Sequence, residues 1–188
     1  MTELAHDRPN TGEPAPDALP LGPQSLVWRW FGDNRMFLIG PRPAVLQNML
    51  AELGQGVYDH STFFADTAER LRRTIPPIFN TVYGSEAENA GTQVRDFHHH
   101  VKGDLPGTDG RRYHALDPET YFWAHATFVE QVLYFADTFV KRLTEAEKEQ
   151  IYLESKTWYR RYGVSDRPMP ATYAEFQQYW DRMMDQVV

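Results

Sequence analysis

The chain has 188 residues, of which 41% are hydrophobic and 14% aromatic, enough for one domain with a sizeable core. Its net charge of −7 argues against a nucleic-acid partner, because a phosphate backbone requires a basic surface. The absence of cysteine excludes disulfides and thiolate metal sites, so histidine or carboxylate must hold any metal. No run reaches the roughly 18 apolar residues of a membrane span, and the first residues lack the apolar region of a secretory signal. We therefore expect a cytoplasmic protein without a transmembrane segment.

The first part of the chain predicts an arm followed by one domain. Residues 1–24 contain five prolines and few apolar side chains, a composition typical of a flexible N-terminal arm. The domain is expected to span residues 25–188. It is predicted to begin with a short helix through Leu26 and Phe31, which Gly32 ends.

Proline, aspartate and glycine delimit the next two predicted helices. Pro43 is suited to the first turn of a helix that ends at the glycines of residues 54–56. Asp66 can cap the following helix, which ends at Gly84. The pair Pro76–Pro77 lies inside that helix, and we expect it to kink or break the helix because proline has no N–H to donate.

A histidine-rich helix is predicted next. Ser85 with Glu88 three residues later is a capping box, and the helix that it begins passes through His98 and ends at Gly103. Residues 104–116 include two glycines and a proline, so we expect a loop there.

The second half of the chain predicts three helices. Residues 117–119, Asp-Pro-Glu, supply a cap, a first-turn proline and an acidic first turn, and they begin a helix so apolar that it is expected at the centre of the fold. Two further capping boxes, Thr144 with Glu147 and Thr172 with Glu175, begin the last two helices. No region alternates with a period of two residues. The predicted fold class is all-α: a single multi-helix domain with a central buried helix.

Three of the seven histidines form a run at residues 98–100. Helical residues advance by about 100° each, so one helix can offer only part of this run to one site. Arg95, His98 and Lys102 are three and four residues apart and are predicted to share one helix face. That positive stripe suits an anionic group, and a solvated helix face with incidental histidines is the alternative interpretation.

His125 lies in the middle of the most apolar helix. An unpaired buried imidazole costs about 1–3 kcal/mol, so this ring needs a hydrogen-bond partner or a metal. A hydrogen-bonded core histidine and a metal ligand are equally compatible with the sequence. If the helices that carry His98 and His125 face each other, the two imidazoles can hold a metal or a haem iron.

Other candidates point to no competing chemistry. His60 and His114 are interpreted as surface or capping histidines, and the aromatic side chains of the central helix as core. The sequence contains no GxSxG, P-loop, GxGxxG or HExxH motif. A di-iron bundle requires paired Glu-x-x-His motifs, and the one comparable pair in the central region, Asp96 with His99, is too little.

Several short pieces of the chain, in this order and spacing, resemble the MpaB-type and rubber-oxygenase catalytic domain family. They are Gly56-Val57-x-Asp59-His60-Ser61, Arg70-Leu71-x-Arg73-Thr74, Tyr83-Gly84, Val94-Arg95-x-x-His98-x-x-Val101-Lys102-Gly103, Tyr113-x-Ala115-x-Asp117-Pro118-Glu119, Trp123-x-His125-Ala126-Thr127, Gly163-Val164 and Pro170-x-Thr172. Together they extend over nearly the whole predicted domain.

The resemblance implies an all-α domain that binds haem b and acts as an oxygenase. It implies that His125 is the proximal iron ligand and that the helix with Arg95 and His98 covers the distal side. Rubber oxygenases have a lysine where this chain has His98, so His98 is expected either to occupy the sixth iron position or to act as a distal acid or base. Arg95 matches an arginine beside the haem, and Arg95 with Lys102 would stabilise anionic oxygen species or propionates. Well-known family members cleave double bonds of isoprenoid chains with O₂, which implies O₂ and a small-molecule or isoprenoid-like substrate.

Two departures from the family pattern bear on the reaction. Rubber oxygenases have an acidic residue, proposed as a base, in the region that reads Pro-Ile-Phe-Asn-Thr here, at residues 77–81. This chain therefore offers no base there for double-bond cleavage. Family domains also usually continue past the position of Val188, so the family's C-terminal part is expected to be missing or shortened.

Three functions follow from these observations. The first is a haem-dependent oxidoreductase, most directly an oxygenase, in which His125, His98 and Arg95 form the site. The second is a helical protein that binds haem or another apolar ligand without turnover. The third is a non-haem metalloenzyme that uses His98, His125 and a carboxylate. The sequence names neither the substrate nor the oligomeric state.

Overall fold

The computed structural model describes residues 17–61 and 65–187. In these ranges the chain folds into eight α-helices and one two-stranded antiparallel sheet, which confirms the all-α class. The elements are α1 (Leu26–Phe31), α2 (Pro41–Met49), α3 (Ala51–His60), α4 (Thr67–Tyr83), α5 (Ala87–Asp96), β1 (Lys102–Asp104), β2 (Arg112–His114), α6 (Pro118–Phe135), α7 (Glu145–Arg160) and α8 (Tyr173–Val187). Within the described ranges, no helix has the length and apolar character that a membrane crossing requires.

Helix α6 is the centre of the fold, as its composition predicts. Asp117 accepts a hydrogen bond from the backbone N–H of Glu119 at 3.0 Å, and Pro118 occupies the first turn. Most α6 side chains are buried, and the helix packs against α1, α2 and α7. Helix α2 is held to it by Gln47, whose Nε2 donates to the hydroxyl of Thr127 at 2.8 Å. The residues of α6 are therefore enclosed on several sides.

The capping boxes of the last two helices are present, the second in a modified form. Thr144 and Glu147 form a complete box at the start of α7. At α8 the Glu175 N–H donates to Thr172 Oγ1 at 3.2 Å, whereas the Glu175 carboxylate accepts from the N–H of Ala171 instead of Thr172. Both helices begin where the sequence predicts because capping needs only residues within one turn.

Two predicted helix boundaries in the first half are wrong. The helix expected to end at residues 54–56 is interrupted earlier, at Leu50, whose backbone is extended, and a new helix begins at Ala51. Gly54 lies inside α3, where a Cβ would come within 2.6 Å of the Asn48 carbonyl oxygen. This glycine therefore permits close packing instead of ending a helix. Ser85 does not cap α5, since that helix begins after Glu86 without a side-chain cap.

The Pro76–Pro77 pair does not break α4. The helix begins at Thr67, capped by Asp66 as predicted, and continues to Tyr83, with Gly84 after its end. The two prolines leave the carbonyls of Arg72 and Arg73 without N–H donors. Both arginines are exposed, so water can donate to these carbonyls and the helix persists.

The histidine-rich helix is shorter than predicted, and the expected loop contains a hairpin. Helix α5 ends at Asp96, residues 97–100 form a turn, and β1 then pairs with β2. The pairing extends to Val101, whose carbonyl accepts from the N–H of Ala115 at 2.9 Å. Hydrogen bonds to residues 112–115 thus compete with continuation of the helix beyond Asp96. Strands of three residues are too short to show a period-two pattern in the sequence, so the hairpin was not predicted.

Residues 17–24, the described part of the predicted arm, lie along α7. The Leu19 N–H donates to the Leu153 carbonyl at 3.1 Å, and Thr157 Oγ1 donates to the Leu19 carbonyl at 2.6 Å. Leu21 is buried in the core. Residues 1–16 of the predicted arm lie outside the described residues.

Candidate functional site

His125 lies at the buried contact between α6 and α7. Its side chain is 3% exposed, and its Nε2 lies 3.2 Å from the carbonyl oxygen of Ser155 on α7. A carbonyl only accepts hydrogen bonds, so Nε2 must carry the ring proton and donate it to Ser155. The lone pair of the neutral imidazole is therefore on Nδ1.

The Nδ1 atom of His125 is buried and has no hydrogen-bond partner among the described residues. Aromatic rings enclose the imidazole, at centroid distances of 5.0 Å for Trp158, 5.1 Å for Tyr159, 6.0 Å for Tyr162 and 6.4 Å for Phe122. An unpartnered buried polar atom costs about 1–3 kcal/mol. This nitrogen is therefore the polar atom of the ring that the described residues leave unsatisfied.

Burial keeps His125 neutral. It lowers the pKa of the imidazole from 6.5 to about 3, and the hydrogen bond to Ser155 opposes this shift only in part. A metal-binding imidazole must be neutral, because the proton and the metal compete for the same lone pair. A neutral ring with one nitrogen held by a carbonyl and the other unused fits an iron ligand.

His98 does not lie on a helix, contrary to prediction. It belongs to the turn after α5, and its Nδ1 lies 2.7 Å from the carbonyl oxygen of Val94. Nδ1 therefore donates, and Nε2 carries the lone pair. Burial lowers the pKa of His98; the Val94 carbonyl opposes this, and the positive charge of Arg70 on α4 lowers it further. His98 is thus a second neutral imidazole with one committed nitrogen.

The predicted stripe of Arg95, His98 and Lys102 on one helix face is wrong, because these residues lie in a helix, a turn and a strand. The Arg95 guanidinium pairs with Asp96 at 2.7 Å and lies against Gly163 after the end of α7. Lys102 lines a surface cavity whose described lining includes neither His98 nor His125. The structure therefore separates Lys102 from the predicted site.

A row of aromatic rings connects His98 to His125. The His98 ring meets Tyr121 edge-on at 6.1 Å, Tyr121 lies 5.5 Å from Tyr162, and Tyr162 lies 6.0 Å from His125. Burial raises the pKa of both tyrosines, that of Tyr162 to about 12, so their hydroxyls stay protonated. The two predicted site histidines are brought into one region, and two tyrosines link them.

No role was assigned to Arg70, Tyr159 or Tyr162 from the sequence. Arg70 is part of one of the short pieces that carry the family resemblance, and this was the one feature that could have indicated it. Its Nε donates to the hydroxyl of Ser61 at 3.2 Å, and burial lowers its pKa. Tyr159 lies in the last turn of α7, and Tyr162 lies in the turn that follows the helix. Their spacing of three residues predicts a shared face but not that the face meets His125.

His60 and His114 contact the hairpin and the turn before it. His60 Nε2 lies 3.2 Å from the hydroxyl of Tyr113 and 3.3 Å from the carbonyl oxygen of Lys102, and His114 Nε2 lies 3.4 Å from the carbonyl oxygen of His99. Across residues 17–61 and 65–187, no three histidine, aspartate or glutamate side chains are grouped to hold a metal ion. The non-haem metalloenzyme therefore has no assembled ligand set in these ranges.

Comparison with protein-family models adds an independent finding. The model described as "ER-bound oxygenase mpaB/B'/Rubber oxygenase, catalytic domain" matches residues 28–188. The matched range contains every site residue described above and confirms the resemblance seen in the sequence. Comparisons with curated proteins and with solved structures found no significant match.

Proposed function

The chain belongs to the mpaB/B′ and rubber oxygenase catalytic-domain family, and from that premise we propose that it is a haem b-dependent oxygenase that uses O₂ on a small or apolar organic substrate. The observation that carries the haem assignment is the unpartnered, fully buried Nδ1 of His125. A neutral nitrogen with a free lone pair, placed inside the catalytic domain of an oxygenase family, suits an iron ligand.

The chain's own residues would prepare that ligand. The Ser155 carbonyl holds Nε2–H of His125, which fixes the ring orientation and leaves Nδ1 for iron. The rings of Trp158 and Tyr159 exclude water from the imidazole. Bound haem supplies the activation of O₂, which no amino-acid side chain can provide.

His98 is proposed as the distal group. Its Nε2 is free of hydrogen bonds among the described residues, and its ring is neutral, so it can bind a metal or accept a proton. Arg70 places a positive charge near this imidazole, and Arg95 lies one turn before it along the chain. These cations would stabilise negative charge that develops on oxygen. We assign Lys102 no contact with this site.

We expect purified protein to show a Soret band, directly or after titration with haem. His125→Ala should lose the band, because the substitution removes the iron ligand. His99→Ala is the matched control: His99 is exposed and pairs with Asp96, so its loss should leave the band unchanged. His98→Ala should retain haem with a shifted spectrum. A folded protein that gains no Soret band with added haem would contradict the proposal.

A binding protein without turnover is the second candidate, and one observation favours it. Residues 77–81 of α4 carry no carboxylate at the position where rubber oxygenases have an acidic residue. O₂ consumption by the haem-loaded protein with isoprenoid and other apolar substrates separates the two functions. Consumption that depends on substrate supports the oxygenase, and its absence with every substrate supports the carrier.

A further inference from the structure

A surface cavity of about 940 Å³ lies apart from His98 and His125. Its walls come from the β1–β2 hairpin, the first turn of α6 and the last turns of α8. Pockets of about 300–1,000 Å³ are typical of small-molecule sites. The cavity is therefore large enough for a ligand of that class.

The cavity carries an excess of one positive charge. Its ionised side chains are four cations and three carboxylates, namely Lys102, Arg111, Arg112, Arg182, Glu52, Asp117 and Glu119. The carboxylates are already engaged. Glu52 pairs with Arg111 at 2.5 Å, and Asp117 caps α6. Glu119 pairs with Arg167 at 3.5 Å.

Two cations in the wall remain without a partner. Among the described residues, Lys102 and Arg182 form no ion pair and no side-chain hydrogen bond. Both residues are exposed, so a ligand in the cavity can reach their side chains. Two unpaired cations suit an oxyanion.

The same cavity has an apolar side that leads toward His125. Leu50, Pro168 and Met183 line it beside the ring of Tyr179. The Tyr179 ring packs against Phe122 at 5.0 Å, and Phe122 lies 6.4 Å from the His125 ring. Two aromatic rings thus connect the cavity wall to the proposed iron ligand.

We propose that this cavity binds the carboxylate head group of an amphiphilic acid. Lys102 and Arg182 contact the carboxylate, and the hydrocarbon chain lies on the apolar side. The excess of one positive charge matches a carboxylate better than a doubly charged phosphate monoester. The role of the bound acid as a substrate rests on the proposed oxygenase function. Binding of the acid in the cavity is independent of that function.

Calorimetric titration of the full chain with decanoate, decanol and decyl phosphate tests the proposal. Decanoate should bind at least about tenfold more tightly than decanol, and decyl phosphate no more tightly than decanoate. The double variant Lys102→Gln/Arg182→Gln should raise the Kd for decanoate about tenfold.

A matched double variant controls for net charge. Arg72→Gln/Arg142→Gln removes the same charge from side chains that are 74% and 90% exposed and do not line the cavity, so the Kd should stay within about twofold. Equal Kd values for the two double variants, equal affinities for decanoate and decanol, or tighter binding of decyl phosphate would each overturn the proposal.

Haem titration separates this inference from the proposed function. Lys102→Gln/Arg182→Gln should bind haem like the unaltered protein, since neither side chain lies with His125. Loss of the Soret band in that variant would assign the cavity to the cofactor and overturn the inference. Decanoate binding by a protein that takes up no haem would keep the carboxylate site and refute only the oxygenase.

Discussion

At the residue scale, the proposed haem site depends on one buried imidazole. His125 satisfies one ring nitrogen through Ser155 and leaves the other buried and unpaired. An unsatisfied buried nitrogen costs about 1–3 kcal/mol, which a ligand bound at Nδ1 would recover. The proposed haem site requires such a ligand.

The buried imidazole makes the stability of the haem-free protein depend on pH. The pKa of His125 is lowered to about 3 in the folded state, so below pH 6.5 the unfolded chain binds a proton that the folded chain does not. The contribution of His125 to the free energy of unfolding is therefore fully present above pH 6.5 and is lost as the pH falls toward 3. Between pH 6.5 and 5 this residue should remove about 1.5 kcal/mol of the free energy of unfolding.

Urea unfolding of His125→Gln at these two pH values checks this expectation. The variant should lose about 1.5 kcal/mol less than the unaltered protein on acidification, because glutamine does not titrate. A smaller fall should remain, since the pKa of His98 is also lowered. His99→Gln, at an exposed position, should retain the full fall. Equal pH dependence in His125→Gln and the unaltered protein would contradict the assignment.

At the scale of elements, α7 organises the site. It supplies the Ser155 carbonyl and the rings of Trp158 and Tyr159 around His125. The turn after its end contacts α5, where Gly91 is buried against the backbone of Arg161. Arg161 in turn donates to the Thr81 carbonyl of α4 at 2.6 Å. Close approach of α5 to α7 therefore depends on a residue without a side chain.

Gly91→Ala should destabilise the protein through this contact. The new Cβ would lie 2.2 Å from the carbonyl oxygen of Arg161, a clash with backbone that only a shift of α5 or α7 can relieve. We expect a loss of about 1–3 kcal/mol in the free energy of unfolding, measured by urea denaturation. Gly22→Ala is the control, since a Cβ there meets nothing within 4 Å and should change stability by less than about 0.5 kcal/mol. A Gly91→Ala protein as stable as the control would show that the two helices adjust freely.

At the scale of the whole molecule, Lys156 of α7 connects two distant parts of the chain: the segment before α1 and the residues just before α8. Lys156 is 2% exposed, and its Nζ donates to Asp17 at 2.8 Å and to the Ala171 carbonyl at 3.1 Å. The hydrogen bonds from Lys156 and then Arg160 hold the pKa of Asp17 at about 2. A buried ammonium group thus depends on a carboxylate that lies far from it in sequence.

Asp17→Asn should lower the free energy of unfolding at pH 7 by about 1 kcal/mol, because Lys156 loses its counter-charge. The loss is modest because the Asp17 side chain is 66% exposed and solvent screens the charge interaction. The folded-state pKa of Asp17 is depressed, so its contribution is present above about pH 4 and is lost as the pH falls toward 2. The difference between variant and unaltered protein should shrink over the same interval. Thermal melts from pH 7 to 3 measure it, with Asp109→Asn, at an exposed loop position, as the control. A constant difference at every pH would exclude the charge interaction as its cause.

The sequence by itself determined the helical class, the central buried helix and most helix starts. Caps at Asp66, Asp117 and Thr144 act on N–H groups within one turn, so neighbouring residues suffice to predict them. The apolar surroundings of His125 identified its helix as the core. Short motifs in a characteristic order and spacing were enough to identify the family, which the match over residues 28–188 confirms.

Only the tertiary structure decided which side chains meet. The end of α5, the separation of Lys102 from His98 and the tyrosines between His98 and His125 all depend on contacts between distant parts of the chain. Hairpin pairing through Ala115 and Val101 competes with the helix that local spacing predicts. Helical periodicity states which residues share a face, but the partner of that face is set by packing and long-range hydrogen bonds. For that reason the sequence could predict that His125 is buried and is a candidate ligand, whereas its unpartnered nitrogen became visible only in the folded protein.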